Sequence, residues 1–345
     1  WGGEKRIQAT FKFFVYTFAG SLLMLIGILY VYMHTPERLY EDGSVSQHSF
    51  ALQSFMNTTL SIKDQQWVFW LFFVAFAIKM PVFPFHTWQP DTYDQSPTSV
   101  TMVLSGVMVK MGLFGVIRWL IPIAPAGAAN YANVVIILCI IGILYASCIA
   151  MVQDNIKKLV AYSSIAHIGL MCASLFTFSE LSAQGAMIQM FSHGINIIGM
   201  WIVVDILERQ TGVKNISQLG GVAQKAPVLT IFLVIIALAN IALPLTNAFV
   251  GEFMMFGGLF QTNPWYAAAA GISIILAAVY TLRMIQRVFY GETVPAASNI
   301  KDISFGEKAA LFGLVALIFL FGVMPQPMID FTKDALKNVV AVYNN

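Results

Sequence analysis

The stretch Trp70-Leu71-Phe72-Phe73-Val74-Ala75-Phe76-Ala77-Ile78-Lys79-Met80-Pro81-Val82-Phe83-Pro84-Phe85-His86 decides the fold. It is an apolar run of membrane-helix character that meets a lysine and then two prolines three residues apart. Proline removes a backbone donor and clashes with the preceding turn, so the stretch should break into two half-helices. Backbone freed at membrane depth is tolerated only where protein or water satisfies it. A second stretch follows the same plan: Ala242-Leu243-Pro244-Leu245-Thr246-Asn247, then Gly251-Glu252. Two interrupted spans in separated parts of one chain suggest paired structural repeats around an ion path. The bland reading is a pair of kinks that only adjust packing, and a charged residue at both breaks weighs against it.

The rest of the chain supplies the membrane context. Of its 345 residues 58% are hydrophobic and only 10% charged, with a mean hydropathy of +0.74. That leaves too little polar surface for a soluble globular domain. Apolar runs of ~20 residues match the ~30 Å hydrocarbon core. Nine spans are expected, near 10–33, 66–88, 96–118, 132–152, 158–177, 184–206, 227–258, 265–288 and 308–325. Lysine and arginine placement tests this topology. With the N-terminal segment cytoplasmic, that side collects twelve basic residues, from Lys5, Arg6 and Lys12 through Lys157, Lys158, Arg209 and Lys214 to Lys308. The other side holds five: Arg38, Lys63, Arg118, Lys333 and Lys337. Lys79 and Lys110 fall inside spans.

A net charge of +2 argues against a nucleic-acid partner. Cys139, Cys148 and Cys172 lie in apolar spans without metal-ligand spacing and read as small buried hydrophobes. The chain has no Gly-rich nucleotide loop, Walker motif or cysteine pattern for iron–sulfur or haem, so no redox chemistry can be located in it.

Five ionisable residues then stand out: Lys79, Lys110, His167, His193 and Glu252. A charge at the bilayer centre costs ~2.5–3.5 kcal/mol even on lenient insertion scales, and intramembrane charges usually mark an ion or proton path. For Lys79 the bland reading is snorkelling to an interface, but further apolar sequence follows it. A relay needs groups that release and regain a proton, and a lysine held out of water is one. Lys110, in Val107-Met108-Val109-Lys110-Met111-Gly112-Leu113, is mid-span by any boundary, and no local carboxylate offers a salt bridge. His167 and His193 occupy consecutive spans beside serine or glycine, and histidine titrates near neutrality. Singly, each would read as a satisfied core residue; together they favour a relay. Glu252 follows the second break, where a carboxylate could exchange protons with one aqueous side. His86 reads as an interfacial or half-helix-capping residue.

These residues resemble a known family. Lys79-Met80-Pro81-Val82-Phe83-Pro84-Phe85-His86-Thr87-Trp88-Gln89-Pro90-Asp91 looks like the hallmark segment of the antiporter-like subunits of respiratory complex I. Ser96-Pro97-Thr98-Ser99-Val100 and Val109-Lys110-Met111-Gly112-Leu113-Phe114-Gly115 narrow it to the M type, as do Trp1-Gly2-Gly3, Ser163-Ser164-Ile165-Ala166-His167 and Phe191-Ser192-His193-Gly194. The resemblance covers essentially the whole chain. It implies an all-α polytopic membrane protein with about nine transmembrane helices here, two of them broken, as the C-terminal part of a fourteen-helix antiporter-like fold with inverted repeats. Residues 1–118 would be the last helices of the first repeat, 132–290 the second repeat, and 291–345 a flanking helix and tail. The family's proton-relay residues map onto Lys79, Lys110, His167, His193 and Glu252. Its glutamate partner for the first lysine lies on a helix that would precede Trp1, so about five N-terminal helices are expected to be missing.

The resemblance further implies a proton-translocating subunit of NADH–quinone oxidoreductase in a bacterial inner membrane, alongside other membrane-arm subunits including neighbouring antiporter-like ones. FMN, iron–sulfur clusters, NADH and quinone would belong to partner subunits, with no cofactor or metal in this chain. Two rivals stand beside it: a subunit of a multi-subunit Mrp-type cation/proton antiporter, and a passive membrane scaffold whose charges only fix packing.

Overall fold

The computed structural model describes residues 1–36 and 48–344, together with the backbone of a two-residue antiparallel pairing, Arg38–Leu39 with Val45–Ser46. Side chains are described to residue 337; that of Arg38 lies outside the described residues. Twelve helices carry the argument: α1 (Arg6–Met33), α2 (Ile62–Lys79), α3 (Trp88–Gln95), α4 (Thr98–Ile123), α5 (Pro125–Val152) and α6 (Ile156–Leu175). They continue as α7 (Glu180–Thr211), α8 (Pro227–Asn240), α9 (Asn247–Thr262), α10 (Pro264–Val288), α11 (Phe305–Val323) and α12 (Gln326–Asn344).

Seven helices among the described residues are long and apolar enough to cross a membrane: α1, α4, α5, α6, α7, α10 and α11. The remaining two passes expected from sequence are the broken ones. The first is α2, which ends at Lys79, followed by the 80–87 break and the short α3. The second is α8, the 241–246 break and α9. Both half-helix expectations hold, and the nine passes are accounted for.

Local sequence explains most boundaries. The Ser61 hydroxyl accepts from Asp64 N at the start of α2, and the Asn155 side chain caps α6 through Lys157 N and Lys158 N. Ser304 and Glu307 form a capping box on α11. Pro125, Pro227 and Pro264 open α5, α8 and α10, where the missing N–H would have had no partner. Gly212 ends α7 at φ +70°. Sequence left 119–131 between spans, but the chain stays helical through Ile123 and restarts at Pro125. Only Ala124 separates α4 from α5. Pro125 falls in the first turn of α5, where proline is tolerated, and Pro122 lies in the last turn of α4, one residue before it ends.

Ion pairs test the topology. Lys12 and Lys158 both reach Asp91, at 2.8 and 3.6 Å. Lys157 pairs with Glu208 at 3.1 Å, Lys214 with Glu208 and Asp94, and Arg209 with Glu307 at 2.6 Å. The ends of α1, α3, α6, α7 and α11 therefore meet at one pole of the bundle, the pole to which the charge count assigns the cytoplasm. A polar vestibule of about 790 Å3 opens there between Lys5, Lys12, Asp91, Asp94, Lys158 and Lys214. Burial alone would raise the Asp94 carboxyl; the Asn155 amide and Lys214 ammonium outweigh it and hold it below the usual carboxylate range.

Cys139 and Cys172 are buried as expected, whereas Cys148 faces outward from α5. A thiol is apolar enough to sit against lipid, so its place in an apolar span did not fix its direction.

The α7–α9 crossing positions the site. A Cβ on Gly185 would lie 2.8 Å from the Gly251 carbonyl oxygen and the Met255 nitrogen, so the two backbones touch. Small residues permit this approach between membrane helices. Gln189 and Glu252 follow on the same faces and meet. Gly185→Leu is therefore expected to part α7 from α9, and native electrophoresis of the purified membrane complex should show loss of the assembled species.

Candidate functional site

Four helices bring the site together at mid-bundle. Lys110 comes from α4 and sits between two wider π-helical turns, Leu104–Met108 and Val116–Leu120. His167 comes from α6, His193 from α7 and Glu252 from the first turns of α9, just past the second break. Lys110, His167, His193 and Glu252 are 7%, 8%, 1% and 7% exposed. None can be solvated by bulk water, so their partners decide what they do.

Those partners form two bonded pairs. The Lys110 ammonium donates to the Ser105 carbonyl at 2.5 Å and to His193 Nδ1 at 2.8 Å. An ammonium is donor-only, so His193 must accept at Nδ1 and carry its own proton on Nε2. His167 Nδ1 lies 3.1 Å from Glu252 Oε1, and Gln189 Nε2 donates to the same oxygen at 3.0 Å. An ionised carboxylate only accepts, so His167 holds a proton on Nδ1, and while the ring is neutral its Nε2 is an acceptor. The two imidazole rings stand between the pairs, with centroids 5.5 Å apart and planes tilted by 60°. Neither Nε2 has a hydrogen-bond partner. In these states His193 Nε2 is a donor and His167 Nε2 an acceptor. Four of the five residues read from sequence thus form one run across α4, α7, α6 and α9.

Lys79 is not part of that run. It is half-buried at the end of α2 and lines a groove of about 480 Å3 between α1, α2 and α4. Phe13, Met24, Phe76, Met108 and Trp119 make up much of its wall, and no carboxylate lines it. His86 departs from its sequence reading. It is buried (2% exposed) in the first break, packed against the rings of Phe83 and Tyr145 at 5.7 and 5.3 Å. It neither reaches an interface nor caps α3; the residue at the start of α3 is Thr87. Its position after two prolines suggested a helix start, but the break folds inward and carries the ring with it.

The polar groups that hold the second break were not singled out in the sequence. Asn196 Nδ2 donates to the Ala239 carbonyl at 3.1 Å, and Ser192 Oγ to the Asn247 carbonyl at 3.0 Å. Asn240 Nδ2 and Tyr280 OH both donate to Ser163 Oγ, at 3.2 and 2.9 Å. The signal was present in α7. Gln189, Ser192, His193 and Asn196 recur at i, i+3, i+4 and i+7, a polar stripe on an otherwise apolar helix.

Residues 1–277 match the family model described as NADH:quinone oxidoreductase/Mrp antiporter, TM. The chain belongs to this family. Within the NADH:quinone oxidoreductase/Mrp antiporter family it is similar to NADH-quinone oxidoreductase subunit M of Rickettsia typhi, 38% identical over 343 residues, 99% of this chain and 67% of that one. It is also similar to a chain of respiratory complex I from Thermus thermophilus with bound NADH, at 29% identity and a TM-score of 0.91. That match covers 100% of this chain and 71% of the other. A chain of the Mrp complex from Dietzia sp. DQ12-45-1b shares the fold, with a TM-score of 0.82 at 18% identity over 98% of this chain and 70% of its own. The antiporter-like, all-helical membrane fold expected from sequence is therefore the fold of this family.

Asn196→Ala would remove the interhelical donor to the Ala239 carbonyl, which would keep its local bond from the Ala242 N–H, at a cost on the order of 1 kcal/mol. The expected outcome is a lower thermal midpoint of the detergent-solubilised complex, with its subunit composition unchanged.

Proposed function

We propose that this chain is an M-type, proton-translocating membrane-arm subunit of NADH–quinone oxidoreductase, and that Lys110, His193, His167 and Glu252 are its proton relay. The observation that carries the reading is the pair of bonded couples, Lys110–His193 and His167–Glu252, whose imidazole rings lie 5.5 Å apart. A buried ammonium bonded to a neutral imidazole shares a proton that either can hold. A buried carboxylate bonded to an imidazole stabilises the imidazolium once it forms. A proton arriving at Lys110 can thus reach Glu252 in short steps, with a ring reorientation or bridging water crossing the 5.5 Å between the imidazole rings.

Lys79 would serve the first half of the path, at the helix break that mirrors the one before Glu252. On this reading 1–118 closes the first antiporter-like repeat, 132–290 forms the second, and 291–345 supplies the flanking helix α11 with α12 as its tail. Redox chemistry in other subunits would drive the changes in protonation. FMN, iron–sulfur clusters, NADH and quinone belong to those partners, together with neighbouring antiporter-like subunits in a bacterial inner membrane. The Mrp-type reading shares the fold, and the relatives named subunit M, 37–38% identical, favour the oxidoreductase.

Two measurements test the proposal. In liposomes, Lys110→Ala or Glu252→Gln in an otherwise assembled complex is expected to lower coupled proton pumping by roughly an order of magnitude, the effect of ~1.4 kcal/mol on a transfer barrier. Unchanged pumping would instead support the scaffold role. The native complex is also expected to co-purify with flavin and iron–sulfur absorbance and to oxidise NADH; an Mrp-type assembly would do neither.

A further inference from the structure

Beside His167, on the side away from the α7 stripe, the bundle encloses a cavity of about 20 Å3 where α5, α6, α9 and α10 meet the second break. Its polar lining is Ser147, His167, Glu252, Ser273 and Tyr280. A cavity of ~10–15 Å3 already admits one water, provided two to four polar groups face it. Ser147 is fully buried towards the C-terminal end of α5, and its Oγ has no hydrogen-bond partner among the described residues. A serine inside a helix commonly bonds back to the carbonyl four residues earlier; this one does not. His167 Nε2 is also buried and unpartnered.

We infer that Ser147 holds a single buried water against His167 Nε2 and so acts as a positioning residue for that imidazole. The inventory of hydrogens selects Ser147 for this task. Tyr280 already donates to Ser163 Oγ, Ser273 to the Ala270 carbonyl, and His167 Nδ1 faces Glu252. Those groups and the Glu252 carboxylate offer the cavity only lone pairs. The Ser147 hydroxyl is the one lining side chain with an uncommitted hydrogen to give to a water oxygen. The water in turn donates to Nε2 of neutral His167. When His167 carries a second proton on Nε2, the same water turns and accepts from it. A fixed donor or a fixed acceptor could serve only one of these states; a water held by a hydroxyl rotor serves both without moving a heavy atom. The inference rests on the reading of His167 as a proton carrier.

The test uses the whole assembled complex. High-resolution electron cryomicroscopy of the wild type is expected to show one water-sized density within hydrogen-bond distance of Ser147 Oγ and His167 Nε2, lost in Ser147→Ala. Coupled pumping in liposomes should fall several-fold in Ser147→Ala and recover in Ser147→Thr, which keeps the hydroxyl. Absence of the density in the wild type, its persistence in Ser147→Ala, or undiminished pumping in that variant would each overturn the inference. His167→Gln separates the two levels. If it leaves pumping intact, the carrier role of His167 fails. If it abolishes pumping while the Ser147 criteria are not met, only the water site falls.

Discussion

A carbonyl released from a helix in the hydrocarbon core has no water to bond, and the architecture around the second break answers that constraint. The break at 241–246 frees backbone in mid-bundle, and α7 lies across it with Asn196 on the Ala239 carbonyl and Ser192 on that of Asn247. Once α7 is committed to that contact, the residues between and beside those two are committed as well. His193 sits next to Ser192 and turns toward Lys110, while Gln189, one turn earlier, meets Glu252 as α9 begins. The glycines at 185 and 251 bring the backbones close enough for both bonds. The buried ionisable groups thus stand on the scaffold that braces the broken helix.

The same constraint explains what could be read from the chain alone. Prolines at 81, 84 and 244 mark breaks because their effect on the backbone is local, and both breaks appear there. Charges in apolar runs are conspicuous for an equally local reason, and four of the five converge. What escaped the sequence depends on partners far along the chain. The direction of Cys148, the inward fold of His86 and the single-residue corner at Ala124 are decided by packing against other helices. Which asparagine reaches which carbonyl is likewise invisible until α7 and α8 are side by side. The polar stripe of α7 could have named the helix that braces the break, though not the atoms it touches.

The run of buried groups alternates in character in a way that limits its resting charge. With Lys110 as an ammonium and Glu252 as a carboxylate, each charged group faces an imidazole. The two charges offset each other over the length of two rings, so the bundle interior need not carry net charge at rest. Moving a proton along the run separates or recombines these charges, and the field it creates is felt strongly because little water is present to screen it. The ionic pole at the other level of the bundle, where Asp91 takes both Lys12 and Lys158, lies at the aqueous end and is screened. Its contribution is to fasten helix ends together.

The corner at Ala124 has a mechanical consequence. With one residue between α4 and α5, there is no slack for the two helices to slide independently. Any piston-like displacement of α4 that carries Lys110 must drag the start of α5 with it, and α5 reaches down to Ser147 beside His167. The two bonded pairs are then linked by a rigid elbow, so a push on one arm arrives at the other without passing through the buried side chains.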